Sequence, residues 1–107
     1  MTTISQGNGP IVSELAGDPE LRPLVAAFVA ELPHRVAEMR RCLGEGDFLP
    51  LVSKAHQLKG SAGGYGFPEI TAGAAAVEKC ARLATERVRL AAELNALADL
   101  CERARAF

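Results

Sequence analysis

Apolar residues recur at helical spacing along four stretches of the chain, and short clusters of glycine, proline and aspartate separate those stretches. In the first, Leu21, Leu24, Val25, Phe28, Val29 and Leu32 return every three or four residues, and Val36, Met39 and Leu43 carry the stripe past Pro33. Asp18-Pro19-Glu20 predicts its start, with an N-cap, a proline in the first helical position and an acid in the first turn; Gly44 predicts its stop. Pro33 cannot donate to the carbonyl of Val29, and because the stripe keeps its phase a kink is expected rather than two helices. In the second stretch, Asp47 to Ala62, residues Phe48, Leu51, Val52, Ala55, Leu58 and Ala62 gather on one face at about 100° per residue. Gly44-Glu45-Gly46-Asp47 forms the turn before it, and Gly63-Gly64-Tyr65-Gly66 ends it.

The third stretch starts at Pro68, with Glu69 in its first turn, and shows a narrow stripe of Ile70, Ala74, Val77 and Ala81. Alanine and glycine at positions 72 to 76 predict close packing against the second helix. The fourth is capped by Thr85 and keeps a heptad-like seam of Leu90, Leu94, Leu97, Cys101 and Ala104. Short connections make consecutive helices antiparallel neighbours, so the fold class is all-α, an antiparallel four-helix bundle. A short extra N-terminal helix is expected from Pro10 through Ile11, Val12 and Leu15, covering one end of the bundle. Residues 1–9 are polar and glycine-containing and read as a flexible tail, leaving 10–107 as one domain.

Composition narrows the function. At 107 residues the chain has room for one core, too little for a kinase domain with its own nucleotide site. Aromatics make up only 5%, which favours helices packed through small side chains over a sheet. A net charge of −1, with both signs intermixed, provides no field for nucleic acid or an anionic membrane. With no long apolar run and no signal-like start, the expected location is the cytoplasm; Met1 suggests a free start, and the sequence leaves a free protein and a piece of a hybrid sensor kinase both open. Cys42, Cys80 and Cys101 are odd in number and widely spaced, as suits reduced core residues rather than disulfides or a zinc site.

The chemistry concentrates on the second helix. His56 lies about 40° outside the apolar stripe, at the boundary of core and water. A helical side chain leans over the preceding turn, so residue i+4 normally shades residue i; here i+4 is Gly60 and i+7 is Gly63. Glycine inside a helix is unfavourable, and the use that compensates it is close approach by a partner. Lys59, at i+3, sets an ammonium beside the imidazole. Antiparallel packing of the third helix would fold Glu78, next to its stripe, back toward His56. His34 stands with Arg35, Glu38 and Arg41 and reads as part of a solvated face. The glycines at 63–66 are not followed by the Gly-Lys-Ser/Thr of a nucleotide-binding loop, and no strand precedes them.

The run His56-Gln57-Leu58-Lys59-Gly60-Ser61-Ala62, followed by Tyr65-Gly66, resembles the signature of histidine-containing phosphotransfer (HPt) domains, His-x-x-Lys-Gly-x-Ala/Ser and then an aromatic or aliphatic residue and glycine. The resemblance extends from about Asp18 to Ala104 and includes the downstream glutamate, Glu78. It implies that His56 accepts a phosphoryl group from the aspartate of a response-regulator receiver domain and passes it to another receiver. It also implies that Glu78 accepts a hydrogen bond from Nδ1, leaving Nε2 to attack. Lys59 would offset the negative charge of the phosphoryl group. Val52, Ser53, Gln57, Gly60 and Gly63, with part of the proline-containing helix, border His56 and are expected to dock the partner.

No cofactor of its own is expected; Mg2+ would come with the receiver, which could belong to a hybrid sensor histidine kinase. A monomer is expected because the bundle is complete within one chain. The alternative is a helical adaptor that docks onto a receiver without being phosphorylated, a role for which His56 and Lys59 would be unnecessary. A histidine kinase dimerisation domain is disfavoured because the His-Glu-x-x-Thr/Asn-Pro pattern is missing at His56.

Overall fold

The computed structural model describes residues 9–83 and 86–107. Four helices carry the fold: α1 (Arg22–Gly44), α2 (Phe48–Gly64), α3 (Pro68–Arg82) and α4 (Arg87–Arg103). Two short extended segments, β1 (Ile11–Val12) and β2 (Ala104–Arg105), pair in parallel, with Ile11 opposite Ala104 and Val12 opposite Arg105. The all-α bundle is therefore as the periodicity predicts. Thr85, the expected cap of α4, and residues 1–8 of the expected tail lie outside the described residues.

The expected N-terminal helix is replaced by β1 and a turn over residues 14–17. The β-branched pair Ile11-Val12 finds its backbone partners on the extended chain leaving α4, and Ser13 N–H donates to the Arg105 carbonyl at 3.0 Å. Ser13 Oγ then donates to the Tyr65 carbonyl at 2.7 Å, and Glu14 N–H to the Gly66 carbonyl at 2.9 Å, which ties this segment to the α2–α3 turn. Ala104, expected on the last helical seam, is buried in β2 instead.

α1 begins four residues after Asp18. Asp18 Oδ1 accepts from Glu20 N–H, and its carbonyl accepts from Leu21 and Arg22, making a separate turn. A helix starting at Pro19 would drive the Pro23 ring against the Pro19 carbonyl, so regular structure waits until Arg22. Pro33 does not divide α1, because Leu32 and Met39 are buried on either side of it in one stripe. Leu24, expected in that stripe, is exposed.

Two matching C-terminal motifs set the corners. Gly46 (φ 71°) and Gly66 (φ 86°) occupy the left-handed position after α1 and α2. Asp47 N–H donates to the Cys42 carbonyl and Phe67 N–H to the Ala62 carbonyl, each at 2.9 Å, while Gly46 and Gly66 bond to Leu43 and Gly63. This is the Schellman arrangement, which satisfies the last carbonyls and reverses the chain. The residue that stops α1 is therefore Gly46, since Gly44 is still helical.

The most extensively packed helix pair is α2 on α3. Ala55, Ala62 and Ala74 are fully buried, and Thr71 Oγ1 donates across to the Lys59 carbonyl at 3.0 Å. Gly73 corrects part of the packing expectation. A Cβ there would meet Leu100 and Leu97 at 3.1 and 3.2 Å, so this glycine admits α4 rather than α2. Phe28 of α1 stacks on Tyr65 (ring centroids 4.8 Å) and on Phe67 (5.9 Å), locking the α2–α3 turn onto the first helix.

Candidate functional site

α2 presents His56 at mid-length, outside its buried stripe of Leu51, Ala55, Leu58 and Ala62. The imidazole side chain is 63% exposed. Facing it from α3 is Glu78, whose side chain is only 9% exposed because it stands beside buried Val77 and Ala81. Nδ1 of His56 lies 3.1 Å from Glu78 Oε2.

The same carboxylate meets two cations. Lys59 Nζ stands 2.8 Å from Oε1, and Arg82 Nη2, one turn after Glu78 on α3, donates to Oε2 at 2.6 Å. Hydrogen bonds from Lys59, then Arg82, then His56 hold the Glu78 carboxyl at about 2, well below its ordinary 4.5, against the opposing effect of burial. An ionised carboxylate can only accept, so the proton of a neutral His56 ring resides on Nδ1 and the free lone pair on Nε2. One buried anion thus fixes both the orientation and the tautomer of the exposed ring.

Arg82 is the site residue that the sequence reasoning missed. The available signal was its i+4 spacing from Glu78, the geometry of a helical ion pair. Lys59, expected beside the imidazole, is bonded to the carboxylate next to it.

The expected docking residues divide by exposure. Ser53, Gln57, Gly60 and Gly63 are exposed, and Val52 is half-buried. A Cβ at Gly60 would meet nothing within 4 Å, so its missing side chain leaves open space beside the imidazole. Gly63 differs, because a Cβ there would touch Thr71 Oγ1 at 3.4 Å, on the α3 side. His34 is exposed on α1, lining a cleft with Glu31, Arg35, Glu38, Lys54 and Gln57.

Among the described residues, no three His, Cys, Asp or Glu side chains converge in a way that could hold a metal ion. Both oxygens of Glu78 are engaged, Oε1 by Lys59 and Oε2 by His56 and Arg82. The three cysteines are free and buried, and burial followed by the charge of Glu102 pushes the Cys101 thiol up to about 12, far from a reactive thiolate. No helix among the described residues is long and apolar enough to cross a membrane.

No curated protein and no solved structure matches this chain significantly. The family model of the Hpt domain matches residues 23–107, a span that takes in α2 and α3 with His56, Lys59, Glu78 and Arg82. With its helical bundle and an exposed histidine held by a buried carboxylate, the chain belongs to the Hpt domain family.

Proposed function

We propose that this protein, as a member of a family that acts in phosphotransfer within two-component signalling, carries the phosphoryl group on Nε2 of His56. The observation that supports this most is the contact between His56 Nδ1 and an ionised Glu78 clamped by Lys59 and Arg82. The Nε2 lone pair attacks the phosphorus of a receiver's aspartyl phosphate. An N–P bond forms, the acyl P–O bond breaks, and its electron pair leaves on the aspartate carboxylate. No proton need depart, since it stays on Nδ1, where Glu78 balances the positive charge that grows on the ring. The reverse sequence delivers the group to a second receiver.

In this reading Lys59 reaches from Glu78 toward the phosphoryl oxygens, and Arg82 keeps the carboxylate in place meanwhile. Val52, Ser53, Gln57, Gly60 and Gly63 border the ring and form the docking surface. Mg2+ would enter in the receiver's acidic site, where it draws charge from the phosphoryl oxygens. The protein acts as a cytoplasmic monomer, with a free receiver or that of a hybrid sensor kinase as partner.

Incubation with phosphorylated receiver domains tests the proposal. Native protein should acquire an acid-labile, alkali-stable phosphate, and His56→Gln none. Label retained by His56→Gln would place the nucleophile elsewhere; receiver binding with no label on the native protein would establish the adaptor reading instead.

A further inference from the structure

The Glu78 carboxylate carries one negative charge and meets two cations, Lys59 on Oε1 and Arg82 on Oε2. One cation would balance it, and the proposed transfer turns Lys59 toward the phosphoryl group, so Arg82 calls for a use of its own. Arg82 bonds the same oxygen that faces His56, at 2.6 Å against 3.1 Å for Nδ1. Its side chain is 62% exposed, so burial does not account for it.

A carboxylate beside an imidazole has two effects that conflict in a nucleophile. It accepts from Nδ1–H and so points Nε2 outward, but its charge also favours imidazolium, which has no lone pair for attack. The conflict is sharp at Glu78, because a buried carboxylate is little screened by water. Two cations on it leave a local surplus of positive charge, which opposes a further proton on the ring while the orienting hydrogen bond persists. The other charges of the neighbouring helices are engaged elsewhere. Lys54 of α2 faces Glu38 of α1 at 3.8 Å, and Glu31, His34 and Arg35 share with them the cleft beside Gln57. Lys79 of α3 lines a groove with Arg89 and Glu93 of α4.

We infer that Arg82 is a positioning residue that lets Glu78 orient the His56 ring without charging it, and so sets how far toward acid pH the protein accepts a phosphoryl group. This rests on the proposed function, since it presumes His56 as the nucleophile. The two cations then act at different times. Before transfer both neutralise Glu78, and the ring keeps its lone pair. When Lys59 turns to the phosphoryl oxygens, Arg82 alone remains on the carboxylate, and Glu78 regains part of its field as the N–P bond forms and the ring becomes positive.

The test compares native protein with Arg82→Met, which removes the charge, and Arg82→Lys, which keeps it, each with Glu78 intact and with Glu78→Gln. Labelling of His56 by phosphoramidate, a small phosphoryl donor that needs no docked partner, is measured from about pH 5 to 8. Titration of the ring is followed on unphosphorylated protein through its nitrogen NMR resonances, and circular dichroism checks that each variant keeps its helices. In Arg82→Met the acid limb of labelling and the ring titration should both move to higher pH by about half a unit, the scale of one partly exposed ion pair. Arg82→Lys should restore most of the native profile. With Glu78→Gln the shift caused by Arg82→Met should shrink by at least about half, because the charge that Arg82 offsets is gone. A native acid limb and ring titration in Arg82→Met would overturn the inference alone, as would an equally large shift with Glu78→Gln, which would mark a direct effect of Arg82 on the ring. Native protein left unlabelled at His56 by phosphoramidate and receivers alike would overturn the proposed function and the inference with it.

Discussion

Nδ1 of His56 and Oε2 of Glu78 meet at 3.1 Å although the two residues are 22 positions apart. Their meeting follows from the turn at Tyr65–Phe67, which lies almost midway between them and folds α3 back along α2. The level at which they meet is set by the left-handed Gly66, and the closeness of the helices by Ala55, Ala62 and Ala74.

Removing the carboxylate should weaken transfer without removing the nucleophile. Glu78→Ala is expected to slow His56 phosphorylation by about 10- to 100-fold, the usual loss when a hydrogen-bond partner orienting a functional histidine is deleted. Single-turnover transfer from a phosphorylated receiver measures this, and a native rate in Glu78→Ala would remove the residue from the mechanism.

The depressed Glu78 carboxyl predicts a pH window for stability. Its folded value of about 2 lies below its ordinary 4.5, so the contribution is complete above about pH 4.5 and is lost as pH falls toward 2. Urea midpoints measured against pH should therefore decline more steeply in native protein than in Glu78→Gln across that window. Parallel curves would show that the carboxylate's ion pairs do not stabilise the fold.

Gly60 and Gly66 should respond oppositely to alanine. Gly60 is helical with open space at its Cβ, so Gly60→Ala is expected to stabilise the bundle by about 0.5–1 kcal/mol. Leucine or tryptophan at the same position should slow receiver-dependent transfer while the helical circular dichroism is preserved; unchanged transfer would refute close approach there. At Gly66 the backbone is left-handed and a Cβ would lie 2.6 Å from Ser13 Oγ and 2.9 Å from Glu14 N. Gly66→Ala should therefore destabilise by more than about 1 kcal/mol, read as a lower denaturation midpoint.

Phe67 is fully buried at the N-cap of α3 and faces Phe28. Phe67→Ala is expected to cost about 3–5 kcal/mol, measured by denaturant unfolding. A loss below about 1 kcal/mol would mean that the turn is held by its backbone motif alone.

Much of this was readable in advance where a local rule had no competitor. The stripes of α2, α3 and α4 predict their buried faces because period and packing agree, and His56 lies outside its stripe for the same reason. The start of α1 differs from the sequence expectation because Asp18-Pro19-Glu20 satisfies the capping rule locally, while Pro23 four residues later forbids the continuation. Ile11-Val12 departs from the expected helix because two residues have no period, and their partner strand lies at the far end of the chain. Arg35 stands beside His34 in a charged run that reads as a solvated face. Whether its Nε is enclosed depends on Phe28 and on the approach of α2, which no pattern along α1 expresses.

Sequence by itself determined the four helices, the apolar face of each, and an imidazole beside a lysine and a glycine, since all of these depend on neighbours within two turns. Tertiary structure decided which groups share the Glu78 carboxylate, that Ser13 pins the α2–α3 turn, and that Gly73 opens toward α4. Those outcomes depend on helix rotation and separation, and a small turn of one helix about its axis redirects a side chain that periodicity alone can only place on a face.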